Sequence, residues 1–383
     1  MKMIPFSRPD VGDAEAEAVS EAIHSLWITT GPKVRELEKR LACFVTGDEG
    51  CERAVCLNSA TAAEEMLLRI LGVGPGDEVI VPAYTYTATV SAVVHCGATP
   101  VMLDIRREGS PLTRAPEMDY DRLADAVTER TKAVIAVDIG GLVCDYERLF
   151  DVAESTRHLF RPMTGQGDVL SSLGERIQKT LGRVAVLADC AHSLGGSRCV
   201  RGKWLGCGNL ADFSTFSFHA VKNFTTAEGG AALWRSIPGI PDEEIRKMLQ
   251  LLSLHGQDRS ALSRMQDNSW EYDIIGPWYK CNMTDLSAAM GLRQLDRYPE
   301  MIRRRRELIA RYDRAMDEIG IWHVRHETED MKSSAHLYMT RLPGRTEAER
   351  NAVISAMAER GVMANVHFKP LPMMTAYRRI NVI

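Results

Sequence analysis

Lys222 lies in an aromatic, β-prone run, residues 213–230, where an unpaired ammonium group would be costly to bury. Residues 213–218 have the composition of a strand and residues 225–230 that of a turn, so Lys222 is predicted to lie where a strand ends. Desolvation lowers the pKa of a lysine and frees its amine to attack a carbonyl and form a Schiff base. The alternative is a lysine on an edge strand whose ammonium group reaches solvent.

A carboxylate follows another apolar run. The sequence VAVLAD ends in Asp189, and Cys190, Ala191 and His192 come next. Ligands of open α/β sheets bind beyond the carboxyl ends of the strands, which puts Asp189 at the mouth of the sheet. At about 4 Å and an effective dielectric near 20, a carboxylate attracts a cationic ring nitrogen by about 4 kcal/mol and keeps it protonated. The alternative is an aspartate that caps the next segment, with His192 packed beside it.

Small and hydroxyl-bearing residues follow a third apolar run, AVCL at residues 54–57. They are Asn58, Ser59, Ala60, Thr61 and Ala62. They open a predicted helix whose free N–H groups could hold a phosphate. Thr61 and Glu64 also have the spacing of a capping box, which needs no ligand.

Two tyrosines, Tyr84 and Tyr86, follow the run EVIVP and could stack on a planar cofactor or pack in the core. One cofactor, pyridoxal phosphate, suits these three features in this order. They are a phosphate-binding helix start, an acidic partner for a ring nitrogen and a lysine at a strand end.

Alternating strand and helix patterns surround these residues. Helical spacing is found at residues 13–24 and 33–45, and from residue 53 onward apolar runs alternate with helical segments. The runs are AVCL, EVIVP, PVMLDI, KAVIAVD and VAVLAD. Continuous apolar strands between helices predict an α/β fold with a mostly parallel sheet that is covered on both faces.

At 383 residues the chain is expected to form two domains. Residues 1–255 would be an N-terminal segment and a large cofactor-binding domain, and residues 256–383 a linker and a small C-terminal α/β domain. Residues 156–181 are longer and more polar than a simple connection and are predicted to form a surface insertion. Residues 301–320 have helical spacing, and the four arginines 303–306 are predicted to form a solvated face.

Composition excludes several classes of protein. The net charge is −4 with both signs interspersed, which favours neither nucleic acid nor a membrane surface as partner. The sequence has no secretory core and no apolar run near the roughly 18 residues of a membrane span. Small molecules or a second copy of the chain are the expected partners. The nine cysteines include no CxxC pair, so we expect reduced thiols in a cytoplasmic protein and no metal site.

Several segments, in order, resemble the DegT/DnrJ/EryC1/StrS family of sugar aminotransferases, which are fold type I pyridoxal-phosphate enzymes. The segments are SLWITTGPKVRELEKR, NSATAAEEM, GPGDEVIVPAYTYTAT, GATPVMLDI, DCAHSLGG, FSFHAVKNFTTAEGG, YKCNMTDLSAA and GVMANVHFKPL. The resemblance runs from about residue 4 to residue 370 and implies a three-layer fold with a smaller C-terminal α/β domain.

The resemblance also implies a role for individual residues. Lys222 would bond the cofactor and carry the proton between substrate and cofactor, and Asp189 would pair with the ring nitrogen. The phosphate would be held by Ser59, Ala60, Thr61, Ala62 and Ser217. Tyr86 would stack on the ring and His192 would support its phenolic side.

Asn282 matches an asparagine that reaches the phosphate from the neighbouring subunit, so a homodimer with shared active sites is expected. Thr29, Thr30 and His367 match positions near the sugar-nucleotide pocket.

The activity implied is transfer of an amino group from an amino acid, with glutamate the expected donor, to a nucleotide-linked keto-sugar. A sub-branch that has lost the lysine dehydrates sugars instead, and this chain keeps Lys222. The segments WITTGPK and SFHAVKN are similar to those of members acting on UDP-linked 4-keto sugars, such as the 4-amino-4-deoxy-L-arabinose enzymes. The alternatives are another pyridoxal-phosphate reaction, by dehydration or amination of a non-sugar, and a catalytically silent binding or regulatory homologue.

The chain departs from the family pattern at further places. Leu26 replaces a usual glycine, and Asp138 stands where many members have histidine. The sequence ends at Ile383, short of the family's usual last strand and helix, so we expect the small domain to be incomplete.

Overall fold

The computed structural model describes residues 3–106, 116–259, 270–380 and 382–383. These residues form twelve strands and ten α-helices. The strands are β1 (Ala54–Leu57), β2 (Glu78–Pro82), β3 (Thr99–Leu103), β4 (Thr131–Val137), β5 (Ala185–Asp189), β6 (Ser197–Val200), β7 (Lys203–Gly206), β8 (Phe213–Ser217), β9 (Gly230–Trp234), β10 (Trp322–His323), β11 (Met331–Lys332) and β12 (Thr340–Arg341). The helices are α1 (Asp13–His24), α2 (Pro32–Thr46), α3 (Ala60–Ile70), α4 (Thr87–His95), α5 (Tyr120–Ala126), α6 (Tyr146–Ser155), α7 (Val169–Leu181), α8 (Asp242–Ser253), α9 (Asp285–Glu318) and α10 (Glu347–Glu359).

Seven strands form the central sheet in the order β1-β9-β8-β5-β4-β2-β3. The pairs from β3 to β8 are parallel, and β9 is antiparallel to both of its neighbours. Ala54 and Cys56 of β1 pack in one apolar cluster, whereas Val55 and Leu57 pack in the other. Each face of the sheet therefore has its own core, which explains why the strands are continuous apolar runs. The predicted α/β fold with a mostly parallel sheet is confirmed.

The two helices predicted before the sheet are present as α1 and α2. The carboxylate of Asp285, the first residue of α9, accepts hydrogen bonds from the backbone N–H groups of Gly31 and Val34 at 2.8 and 3.0 Å. These are donors that the start of α2 leaves without an intrahelical partner. The start of α9 thus fixes the start of α2.

The prediction of a surface insertion at residues 156–181 is wrong for its second half. That half is α7, whose Leu173 and Ile177 are buried in one of the two cores. The Gln178 side chain donates a hydrogen bond to the Leu71 carbonyl at 2.6 Å. α7 belongs to the connection between the parallel strands β4 and β5, and its other face is polar and solvent-exposed. That exposed face explains why the sequence of this segment resembles that of a surface insertion.

The strands that follow α9 belong to two small sheets. β10 pairs with β12, and β11 joins β6 and β7 in a three-stranded sheet. The division into two domains at residue 255 stays a prediction. Among the described residues, no helix has the length and apolar composition needed to cross a membrane.

Candidate active site

A cavity of about 450 Å³ opens at the carboxyl ends of the parallel strands. The last residues of β4, β5 and β8, which are Val137, Asp189 and Ser217, all line it. Nine predicted site residues line this cavity: Ser59, Ala60, Thr61, Tyr86, Asp189, His192, Ser217, Lys222 and His367. The position agrees with the rule that ligands of such sheets bind beyond the strand ends.

Lys222 lies in the loop that joins β8 to β9, five residues past the end of β8. β8 lies between β5 and β9 inside the sheet, so the alternative of a lysine on an edge strand is wrong. Burial lowers the pKa of Lys222 from 10.5 to about 8, while the Asp189 carboxylate opposes that shift. At this pKa about a tenth of the amine is unprotonated at pH 7, far more than in a solvated lysine, and the unprotonated amine is the nucleophile.

Asp189 is buried, and each of its carboxylate oxygens accepts one hydrogen bond. The Ala191 N–H donates to Oδ1 at 3.0 Å, and the Thr89 hydroxyl donates to Oδ2 at 2.9 Å. Burial raises the pKa of Asp189, and these two donors and the charge on Lys222 oppose that rise. The bond to Ala191 is local, as in a cap, but the side chain also lines the cavity and can hold a cationic group there.

The helix α3 presents its N-terminus to the cavity. Its N-cap is Ser59, whose hydroxyl accepts a hydrogen bond from the Ala62 N–H at 3.1 Å. The predicted capping box of Thr61 and Glu64 is therefore wrong. Ala62 does not line the cavity, and its N–H group donates to the Ser59 hydroxyl. The N–H groups of Ala60 and Thr61 in the same turn can still bind an anion such as phosphate.

The first turn of α3 contacts Gly230, the first residue of β9. A Cβ atom on Gly230 would lie 2.3 Å from the Ala60 nitrogen and 2.3 Å from the Ser59 carbonyl carbon. Only glycine allows the strand and the helix terminus to approach this closely.

His192 lines the side of the cavity. The Gly140 N–H donates to its Nδ1 at 3.1 Å, and its ring centroid lies 4.5 Å from that of His336. Burial, and then the charges of His336 and Lys222, lower the pKa of His192 well below its ordinary value. The imidazole is therefore neutral at neutral pH.

Aromatic rings surround the mouth of the cavity. Tyr86 is 60% exposed, and its ring centroid lies 5.8 Å from that of Phe368. The ring of His367 stacks on Phe6 at 5.1 Å. Tyr84 has a packing role, because its hydroxyl donates to the His367 carbonyl and accepts from the Phe368 N–H at 2.8 Å.

Three predicted site residues, Thr29, Thr30 and Asn282, do not line the cavity of their own chain. The Asn282 amide donates a hydrogen bond to the Thr30 hydroxyl, which in turn donates to the Met283 carbonyl at 2.6 Å. This cluster lies beside the start of α9. Its participation in a site of the neighbouring subunit stays a prediction.

The cavity also contains side chains that the sequence interpretation missed, namely Glu64, Arg305 and His336. The prediction of a solvated arginine face is wrong at Arg305, whereas Arg303, Arg304 and Arg306 are exposed. Arg305 follows the buried residues Met301 and Ile302 by four and three positions, so helical periodicity could have placed it inward. For His336 no comparable signal is present in the sequence.

The two substituted positions among the departures from the family pattern, Asp138 and Leu26, have distinct structural settings. Asp138 is buried and accepts hydrogen bonds from the Ser193 hydroxyl at 2.7 Å and the Tyr146 hydroxyl at 3.0 Å. It thereby joins the end of β4 to the loop that carries His192. Leu26 has a φ of +60° and is 88% exposed, a backbone conformation that suits glycine better.

Within the described ranges, no group of three or more His, Cys, Asp or Glu side chains is placed to hold a metal ion. All nine cysteines are unpaired.

The chain is similar to proteins of known sequence and structure. It is 35% identical to the spore coat polysaccharide biosynthesis protein SpsC of Bacillus subtilis, over 98% of this chain and 86% of SpsC. The structure of the putative sugar aminotransferase Spr1654 from Streptococcus pneumoniae in its PMP-form matches with a TM-score of 0.88 and 50% identity, over 98% of this chain and 88% of that one. Its PLP-form matches with a TM-score of 0.87 and 49% identity, over 98% and 87%. This likeness confirms the predicted fold type I architecture.

The sequence profile of one family covers nearly all of the chain. Residues 9–159 and 164–381 match the DegT/DnrJ/EryC1/StrS aminotransferase family. The four unmatched residues between them precede α7, so α7 itself belongs to the shared fold. The resemblance that the sequence motifs indicate is thus confirmed, and the chain belongs to the DegT/DnrJ/EryC1/StrS aminotransferase family.

Proposed function

We propose that this chain transfers an amino group from L-glutamate to the 4-keto group of a nucleotide-linked sugar, and that it works as a homodimer in the cytoplasm. Its cofactor is pyridoxal phosphate. The observation that carries the proposal is the pairing of Lys222, with a pKa of about 8, and the buried Asp189 in one cavity beside a helix N-terminus.

Each part of the cavity has a task in such a reaction. Pyridoxal phosphate, when bound, supplies a carbonyl carbon that takes up the amino group and a ring that withdraws electrons. The first turn of α3 and Ser217 would hold the phosphate group. Asp189 would hold the proton on the ring nitrogen, and Tyr86 and His192 would orient the ring. Lys222 would hold the cofactor through Nζ until the donor amine displaces it, and its freed amine would then accept the proton from the α-carbon of the donor.

The charges of the cavity support a donor that carries carboxylate groups. Arg305 lines the cavity, burial lowers its pKa, and among the described residues its hydrogen bond goes to the Ala335 carbonyl at 3.4 Å. None of the ion pairs between described side chains includes it. A guanidinium group in this state favours an anionic ligand in the cavity that Lys222 also lines, and an amino acid provides one.

The mouth of the cavity supports a sugar nucleotide as acceptor. Phe6, Tyr86 and Phe368 offer aromatic faces of the kind that stack on planar or apolar rings, and Arg8 adds a cation at the same opening. The relatives named as a sugar aminotransferase and as a polysaccharide biosynthesis protein support the same substrate class. The unpaired cysteines support the cytoplasmic location.

The experiment supplies the holoenzyme with L-glutamate and a UDP-linked 4-keto sugar and follows the sugar product by mass spectrometry. We expect an amino sugar, and 2-oxoglutarate in equal amount. Lys222→Ala should fold normally, as shown by circular dichroism, and form no product. An active Lys222→Ala variant would contradict the proposed role of the lysine, and a dehydrated sugar product would favour the alternative chemistry.

A further inference from the structure

Glu64 is a buried acid that the proposed reaction has not used. Its side chain lines the cavity, the residue is 2% exposed, and its Oε1 atom has no hydrogen-bond partner among the described residues. It follows Thr61 by three positions on α3, so both side chains face the same side of the helix. Buried polar groups are nearly always hydrogen-bonded, and an exception calls for an explanation.

The next residue, Glu65, is a buried acid of the same helix whose carboxylate is bonded within the protein. Glu65 is also buried, but its carboxylate accepts a hydrogen bond from the Arg69 Nε at 3.0 Å and lies 3.1 Å from the His95 Nδ1. Glu65 points away from the cavity and Glu64 points into it.

Asp189 and Glu64 share the cavity but differ in their surroundings. Two donors, Ala191 and Thr89, stabilise the charged form of Asp189. Among the described residues Glu64 has no such donor, and burial together with the Asp189 charge raises its pKa well above the ordinary value. Two nearby carboxyl groups in a poorly solvated site do not both ionise, so the negative charge resides on Asp189 and the proton on Glu64. Glu64 therefore presents a hydroxyl group that can donate a hydrogen bond.

We propose that Glu64 is a cofactor-binding residue that, as a neutral acid, donates a hydrogen bond to bound pyridoxal phosphate. This inference rests on the proposed function, because it takes the cavity to be the cofactor site. It has a consequence for the cofactor-free enzyme, in which the unpaired acid destabilises the fold. The cofactor then supplies the partner that the protein lacks.

The test measures cofactor affinity and thermal stability of the apoenzyme in the wild type and in Glu64→Gln and Glu64→Leu. The amide of Glu64→Gln can still donate, so its Kd for pyridoxal phosphate should stay within about twofold of the wild type. Glu64→Leu should bind the cofactor about tenfold more weakly, the effect of one lost hydrogen bond. The same variant should raise the Tm of the apoenzyme, because it removes the unpaired acid.

Glu65→Gln is the matched control. It should lower the Tm of the apoenzyme and leave the cofactor Kd unchanged, because Glu65 is bonded within the protein. If Glu64→Leu does not fold, Glu64→Ala takes its place.

Two results would overturn the inference. Equal loss of affinity in Glu64→Gln and Glu64→Leu would show that a charge is needed, and unchanged affinity in Glu64→Leu would show that Glu64 makes no contact with the cofactor. A wild-type enzyme that does not bind pyridoxal phosphate would instead reject the proposed function itself.

Discussion

Burial governs the chemistry of individual residues in this cavity, because it favours the neutral form of every ionisable group. It lowers the pKa of Lys222 to about 8 and raises that of Asp189. Attraction between the two charges opposes both shifts. The lysine thus loses its proton more readily than a solvated lysine, while hydrogen bonds from Ala191 and Thr89 favour the charged form of the aspartate.

The pKa of Lys222 gives the first prediction. A lysine must be unprotonated to bond the cofactor, so the rate at which the apoenzyme captures pyridoxal phosphate should rise with pH and level off above a midpoint of about 8. Stopped-flow absorbance at a series of pH values measures this midpoint. Asp189→Asn should lower it, because the Asp189 charge stabilises the ammonium form. A midpoint near 10.5, the ordinary value for lysine, would show that Lys222 is not desolvated.

Lys222 and Asp189 can be recognised in the sequence because Asp189 ends an apolar run and Lys222 lies five residues beyond another, and strand ends are local signals. Glu64 and Arg305 were misinterpreted for an equally physical reason. The capping-box pattern at Glu64 and the arginine face that includes Arg305 are both local patterns. Neither pattern shows that the side chain faces a cavity. Only the tertiary structure brings α3, α9 and the end of β5 around one space.

At the scale of elements, the contact between α3 and β9 creates the proposed phosphate site. Gly230→Ala would place a methyl group 2.3 Å from the Ala60 nitrogen and would push the helix terminus away from the sheet. Overpacking of this kind costs about 1–3 kcal/mol of stability. We also expect weaker binding of pyridoxal phosphate, because the N–H groups that hold its phosphate move.

The control for this prediction is Gly74→Ala, where an added Cβ has no neighbour within 4 Å. Denaturant unfolding and a cofactor titration of both variants provide the comparison. If Gly230→Ala binds the cofactor as tightly as Gly74→Ala does, the contact does not position the phosphate site.

Most elements of the central sheet were predictable, since continuous apolar runs and helical spacing are strong local signals. The segment 156–181 was not, because α7 is polar on its exposed face and its buried face is short. The strand β11 is only two residues long, and its pairing with β6 joins residues more than 130 positions apart. Such pairings depend on the folded chain rather than on any local pattern.

At the scale of the whole molecule, the proposed homodimer explains why Thr30 and Asn282 lie outside their own cavity. If Asn282 serves the neighbouring site, each active site takes Lys222 from one subunit and Asn282 from the other. A Lys222 variant and an Asn282 variant then damage contributions from different subunits. A heterodimer of Lys222→Ala and Asn282→Ala then has one site without defects.

The corresponding prediction is recovery of activity on mixing. Each variant alone should be inactive or nearly so, and a mixture unfolded and refolded together should regain about a quarter of wild-type activity, because half of the dimers are mixed and each has one intact site. Light scattering after size-exclusion chromatography checks that the variants are dimers. No recovery from refolded, dimeric mixtures would contradict shared active sites.

The central claim, that Lys222 and Asp189 form an aminotransferase site, is tested most directly by the visible absorption spectrum of the purified protein with pyridoxal phosphate, before and after addition of L-glutamate. We expect a yellow band that Lys222→Ala lacks and that glutamate converts to the spectrum of the pyridoxamine form. A protein that shows no band, or a band that neither glutamate nor any other amino acid changes, would contradict that claim.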